Sequence, residues 1–236
     1  MNLRDFDALS FDCYGTLIDW EAGISATLDP WAKRNQVTLD AETLLVAYAD
    51  NEAAVEREHG DWRYPLVLAE AFRRTGTDLG APVTDDEAEA FGASVPDWPA
   101  FADSEQALAD LKRDFQLIIL SNVDRESFAG SNERLGVEFD AIVTAEDVGS
   151  YKPNPRNFVA LSETIESMGN PRLLHVAQSL FHDHVPAKQA GLPTVWINRR
   201  KHRPGWGATP DPGAAVTPDW EFASMAEFAQ AATATP

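Results

Sequence analysis

Apolar residues collect in short runs separated by stretches long enough for helices. The runs are DALSF at 7–11, FQLIIL at 115–120, FDAIVT at 139–144, LLHVA at 173–177 and TVWIN at 194–198. Short, nearly continuous apolar runs of this kind read as strands buried on both faces. Their alternation with helix-length segments predicts βαβ units in an α/β fold with a mostly parallel sheet. DWEF at 219–222 predicts a last edge strand.

The segment between the first two runs follows a different pattern. AETLLVAYADNEAAVERE at 41–58 sets Leu44, Leu45, Tyr48 and Val55 at helical spacing, residues 66–74 continue in the same style, and no strand-like run intervenes. A structureless loop of that length would be out of place in a compact chain. The pattern therefore predicts a helical cap over 19–97, inserted after the first strand, with Pro96 and Pro99 at the return to a core made of 1–18 and 98–236. The Gly- and Pro-rich stretch 199–218 reads as a surface loop.

Composition narrows the function more by exclusion than by assignment. The formal net charge of −19 opposes nucleic-acid binding, which needs clustered Lys and Arg. No apolar run approaches the ~20 residues that span a bilayer, so no membrane partner is expected. The opening MNLRDFDALSFDCYG lacks a basic stretch followed by an apolar one, and no secretory signal is expected there. The single cysteine, Cys13, leaves no internal disulfide and fits a cytoplasmic setting; it is expected to be buried and inert.

In open parallel sheets, ligands bind beyond the carboxyl ends of the strands. Reading off those ends gives Asp12, Ser121 with Asn122, the loop holding Lys152, and the loop from Gln178 to Asp183. A single Asp after a strand is commonly a turn residue, but four polar positions converging where a site belongs make a candidate active site. Ser121 and Asn122 could donate to an anion at the start of the next helix. Lys152, set in Ser-Tyr-Lys-Pro-Asn-Pro, could hold Asp12 ionised through its charge. Arg125 is a candidate anchor for a substrate carboxylate.

The set FDCYGTL, LSN, YKP and SLFHD resembles, in order, the four motifs of the haloacid dehalogenase superfamily. The resemblance implies a Rossmann-like core with a cap, Asp12 as covalent nucleophile, Ser121 as the second-motif hydroxyl, Lys152 as the third-motif lysine and Asp183 as the last acid. Most members are phosphatases with an acid two residues after the nucleophile and another in the fourth motif that helps hold Mg²⁺. Here those positions carry Tyr14 and Gln178. A neutral amide is a poor substitute for a hard anionic ligand, and a phenol with an ordinary pKa of ~10 is a poor acid for a phosphate ester.

Asp-x-Tyr-Gly-Thr-Leu is similar instead to the 2-haloacid dehalogenase branch. That likeness implies attack of Asp12 on C2 of a short carboxylic acid, an ester opened by water that Asp183 places, and neither metal nor other cofactor. Tyr14, Thr16, Trp20, Asn122 and Ser179 would contact the substrate, with His182 and His184 in supporting positions. The branch's early cap arginine, which receives halide, is missing from LLVAYADNEA. With DCYGTLIDWE, NVDR, DVGSYKPNP and SLFHDH, the chain looks more like the (S)-azetidine-2-carboxylate hydrolases of that branch. There the leaving group is a ring nitrogen, and the cap acids Asp19, Asp50, Glu52 and Glu56 could favour an ammonium. A homodimer is an expectation from the branch alone, with no dimer face legible in the residues. A Mg²⁺-dependent phosphatase and a non-catalytic binding protein on the same fold remain the competing readings.

Overall fold

The computed structural model describes residues 2–203, 205–213 and 215–234. Six strands form one sheet: β1 (Ala8–Phe11), β2 (Gln116–Ser121), β3 (Ala141–Thr144), β4 (Leu173–Ala177), β5 (Thr194–Ile197) and β6 (Trp220–Phe222). The order is β3-β2-β1-β4-β5-β6 and every pairing is parallel. All the apolar runs of the sequence became strands, DWEF included, and β6 takes the edge. β1 is flanked on both sides and wholly buried, so its side chains supply two cores. Leu9 and Phe11 join one, and Ala8 joins the other with Ile118 and Leu120, as the two-residue period of a strand requires.

The segment between β1 and β2 opens with four helices: α1 (Trp20–Arg34), α2 (Ala41–Glu58), α3 (Tyr64–Asp78) and α4 (Asp85–Gly92). Local chemistry fixes their starts. Asp19 accepts from the Ala22 N–H at 3.1 Å to cap α1, and Asp40 accepts from the Thr43 N–H at 2.8 Å to cap α2. Edge-on aromatic contacts hold the bundle, with Phe72 against Trp31 and Phe91 at ring separations of 5.2 and 5.4 Å. On the core side follow α5 (Ser104–Leu111), α6 (Arg125–Leu135), α7 (Ala145–Val148), α8 (Arg156–Ser167), α9 (Val185–Gln189) and α10 (Met225–Thr233).

The described residues of 199–218 form the expected irregular, mostly exposed loop, with one part drawn inward. Arg200 is 7% exposed and Ala208 and Thr209 are buried. The cause is electrostatic: the Arg200 guanidinium pairs with Glu21 of α1 at 2.8 Å and with Glu42 of α2. These pairs draw the loop over the helical insertion like a strap. Among the described residues no helix is long and apolar enough to cross a membrane.

Packing between α3 and α4 leaves no room for a side chain at Gly92, where a Cβ would stand 2.3 Å from the Pro65 carbonyl oxygen. Gly92→Ala should therefore cost about 1–3 kcal/mol and lower the thermal midpoint by roughly 3–10 °C. Calorimetry is the check, and a midpoint within a degree of wild type would contradict this packing.

Candidate active site

Asp12 follows the buried end of β1, where its own N–H is still tied to the Val176 carbonyl at 3.1 Å. The carboxylate thus leaves the sheet at its carboxyl edge, beside the ends of β2 and β4. Lys152 meets it there. The ammonium donates to Asp12 Oδ1 at 2.9 Å, to Asp183 Oδ1 at 2.7 Å and to the Leu120 carbonyl at 2.9 Å, so all three N–H bonds are used. Lys152 is 1% exposed, Asp12 6% and Asp183 wholly buried. Burial works against the ammonium, but the two carboxylates outweigh it and its pKa is raised. Burial likewise raises Asp12 above the ordinary carboxyl range while Lys152 pulls it back. Asp183, held by Lys152 and His175 against the cost of burial, stays well below that range.

Further polar contacts fix this centre from behind. His175 Nε2 faces Asp183 Oδ1 at 3.0 Å and its Nδ1 faces Ser10 Oγ at 2.9 Å. A carboxylate can only accept, so Nε2 donates to Asp183, while Nδ1 and the Ser10 hydroxyl share a hydrogen bond. The two residues are register partners across β1 and β4. Thr16 donates to Asp12 Oδ2 at 2.8 Å and accepts from the Gln178 N–H at 2.9 Å. Gly15 turns the chain there with φ +91°, and a Cβ would lie 3.0 Å from the Trp20 indole nitrogen.

A cavity of about 30 Å³ lies over Asp12. Its floor is Asp12, Tyr14, Ser121, Asn122, Lys152, Ser179, His182 and Asp183; the insertion contributes Trp20, Ala49, Glu52, Ala53, Glu56 and Tyr64; the strap adds Ala208, Thr209 and Pro210. Of the four catalytic and five substrate-contacting residues expected, Thr16 alone is not on the cavity wall. Its hydroxyl is spent on Asp12 and Gln178, which makes it a support for the carboxylate rather than a substrate contact. Ser121 Oγ and Asp183 Oδ2 are buried without a hydrogen-bond partner. Asn122 clamps the Lys152 main chain, accepting from its N–H at 2.7 Å and donating to its carbonyl at 3.0 Å. Tyr14 keeps its proton, since burial pushes the phenol well up, and its hydroxyl bonds Ser131 at 2.9 Å.

Other candidates separate cleanly. Arg125 does not reach the cavity; it is exposed and paired with Asp147 at 2.6 Å. Cys13 is buried, with its thiol pushed well up by burial. His182 sits on the π-helical turn Leu180–His184, which Ser179 caps by accepting from the His182 N–H at 2.9 Å. Burial pulls both His182 and His184 down to about 4, so both are neutral at pH 7. His184 points away, with Nε2 donating to the Ala177 carbonyl at 3.0 Å. Of the four cap acids, Asp19 caps α1 and Asp50 is exposed. Glu52 and Glu56 face Asp12's cavity, 5% and 8% exposed. His175, Tyr64 and the strap residues are absent from the expected set.

A Mg²⁺ site does not fit these donors. Gln178 offers a neutral amide where the phosphatases place a carboxylate, and both Asp12 oxygens are engaged by Lys152 and Thr16. Among the described residues no group of three or more His, Cys, Asp or Glu converges as metal ligands.

The family model described as haloacid dehalogenase-like hydrolase matches residues 6–172. The chain belongs to this family of hydrolases. It is 26% identical over 231 residues to an (S)-2-haloacid dehalogenase of Pseudomonas sp. (strain YL), covering 92% of this chain and 90% of that one. A pyrimidine 5'-nucleotidase of Escherichia coli is 33% identical over a shorter stretch, 42% of this chain and 41% of the relative. The L-2-haloacid dehalogenase structure from Xanthobacter autotrophicus superposes with a TM-score of 0.79 at 18% identity, covering 98% of this chain and all of that one. The likeness to the haloacid dehalogenase thus runs through the helical insertion as well as the core.

Glu52 makes the stability of this family member depend on pH. Its carboxyl, ordinarily at 4.5, is pushed up to about 7 by burial. A raised folded-state value means that the stability tied to its proton is fully present below 4.5 and is lost as pH rises through about 7. Glu52→Gln, which mimics the protonated acid, should leave stability near wild type at pH 5. At pH 8 it should stabilise by on the order of 3 kcal/mol. Denaturant melts at the two pH values test this, and an equal effect at both would contradict it.

Proposed function

We propose that the protein is a metal-independent hydrolase in which Asp12 displaces a leaving group from C2 of a short 2-substituted carboxylic acid. The observation that carries this reading is the Lys152 ammonium bridging Asp12 and Asp183, all three buried, at the base of a cavity. A buried carboxylate beside a fixed cation is an oriented nucleophile shielded from water, and no metal is needed to make it one. Ser121, a buried hydroxyl without a partner on the cavity wall, would donate to the substrate carboxylate. Trp20 and Tyr14 would wall the reacting carbon, with Asn122 and Ser179 shaping the floor.

The cycle has two displacements. An Asp12 oxygen forms a bond to C2 as the leaving group departs with the bonding pair, giving an aspartyl ester. Water then adds to the ester carbonyl, and its proton passes toward the free Oδ2 of Asp183. The ester opens to a 2-hydroxy acid and restores Asp12. Lys152 keeps the carboxylate ionised before the first step and balances charge through the second.

The leaving group favoured here is the ring nitrogen of (S)-azetidine-2-carboxylate, which would yield 2-hydroxy-4-aminobutyrate. Among the described residues on the cavity wall Lys152 is the one cation, and its donors are already committed, so a departing halide meets no cradle. Halide displacement is the second reading, favoured by the (S)-2-haloacid dehalogenase matched along most of the chain.

The test is product formation by mass spectrometry from (S)-azetidine-2-carboxylate and both 2-chloropropionate enantiomers in EDTA. Azetidine turnover undiminished by EDTA and reduced at least ~10³-fold in Asp12→Asn is expected. Activity that vanishes in EDTA and returns with Mg²⁺ would overturn the reading in favour of a phosphatase. Binding without turnover, unchanged in Asp12→Asn, would leave a binding protein.

A further inference from the structure

We propose that Glu52 and Glu56 form a subsite for a cationic nitrogen on the substrate, so that the cavity selects short carboxylic acids bearing a basic amine. The inference rests on the reading of Asp12 above and adds what the opposite wall does. The two glutamates lie one turn apart on α2 and occupy core-facing positions continuous with Leu45, Tyr48 and Ala49, where an apolar residue would pack at less cost. Glu52 Oε1 accepts from the Tyr64 hydroxyl at 2.7 Å, and Glu56 Oε1 accepts from Asn122 Nδ2 at 3.2 Å. Among the described residues no Lys or Arg forms an ion pair with either. The nearest basic atom to Glu56 Oε2 is the neutral His182 Nε2, at 3.9 Å. Two carboxyls so placed are stable only with protons of their own or with a cation between them.

An independent observation marks the same space as a ligand site. Ser121 Oγ, on a residue 2% exposed, lies on this cavity without a partner. One wall therefore offers a donor for a carboxylate, and the other offers acceptors for an ammonium. That arrangement complements a zwitterion and not a halogenated acid.

The surroundings set the protonation. Tyr48 on α2, Tyr64 on α3, and Tyr151, Lys152 and the neutral His182 of the core face the pair, with Arg57 beside Glu56. Burial pushes Glu52 up to about 7 and Glu56 well above its ordinary value, with the Glu52 charge adding to the latter. Burial thus favours the protonated pair, and an arriving ammonium displaces one of its protons. During ring opening the C2–N bonding pair goes to nitrogen, which leaves as a tethered neutral amine. The carboxyl still protonated then gives its proton to that amine. Water supplies the oxygen that reopens the aspartyl ester; one of its protons ends on the 2-hydroxy acid and the other returns to the glutamates through solvent.

Isothermal titration separates this from a structural role. 4-Aminobutyrate and pentanoate have the same length and a carboxylate each, and differ in the terminal nitrogen. Wild type should bind the amine ~tenfold or more tightly, as expected for a buried charge-assisted hydrogen bond. Its heat at pH 6 should change with the ionisation enthalpy of the buffer, reporting proton release. Glu52→Gln and Glu56→Gln should lose the preference and the buffer dependence while still binding pentanoate. Equal affinities in wild type, no binding of 4-aminobutyrate, or a preference surviving both substitutions would overturn the subsite. The wild-type comparison stands even if a variant fails to fold. Amine preference without turnover of any 2-substituted acid would keep the subsite and remove the Asp12 reading. Dehalogenation of 2-chloropropionate without amine preference would do the reverse.

Discussion

Two carboxylates and one ammonium share the buried carboxyl edge of the sheet, and much else in the molecule serves to make that arrangement tolerable. Lys152 can stay charged out of water because each of its three protons has an acceptor. Asp183 can stay charged because His175 and Lys152 meet the same oxygen. Removing one partner from such a set strands a buried charge, which typically costs 3–5 kcal/mol. The Ser10–His175 pair across β1 and β4, the Thr16 bridge and the Asn122 clamp on the Lys152 main chain then read as one scaffold. It is built from strand register and from the loops at strand ends. The chemistry proposed for Asp12 depends on how that scaffold balances charge.

The cavity above this centre is asymmetric in the same electrostatic terms. Positive charge is confined to the floor, where it is fully used, and the wall from α2 is acidic. The strap contributes to this wall, since Arg200 pairs with α1 and α2 while Ala208, Thr209 and Pro210 line the cavity. A cation in the strap thus organises an acidic site without entering it.

Much of this was legible in the chain. Apolar runs located all six strands, because strands buried on both faces admit few polar residues, and the strand ends located Asp12, Ser121, Lys152 and Asp183. The helical period of α2 also held information that went unused. Glu52 and Glu56 continue the inward stripe of Tyr48 and Ala49, and that spacing separates them from the exposed Asp50 and from the capping Asp19. His175 was visible as a polar residue inside a buried strand, a position that demands a partner, yet the identity of that partner depends on the β1–β4 register. Tyr64 and the strap were not legible, because their approach to the site depends on pairings between segments far apart in sequence. Gly and Pro in 199–218 suggested an irregular surface loop, which most of its described residues form, but not the ion pairs of Arg200 that bring Ala208 and Thr209 against the site. Thr16 was correctly placed beside Asp12, but only the hydrogen bonds reveal that it supports the carboxylate from behind.

With Asp12 as the nucleophile, water attacks the enzyme rather than the substrate. A single turnover in H₂¹⁸O, with enzyme in excess over (S)-azetidine-2-carboxylate, distinguishes the two routes. The product's 2-hydroxyl should carry unlabelled oxygen, and the peptide containing Asp12 should gain ¹⁸O. Label in the first-turnover product, with none in that peptide, would contradict attack by Asp12.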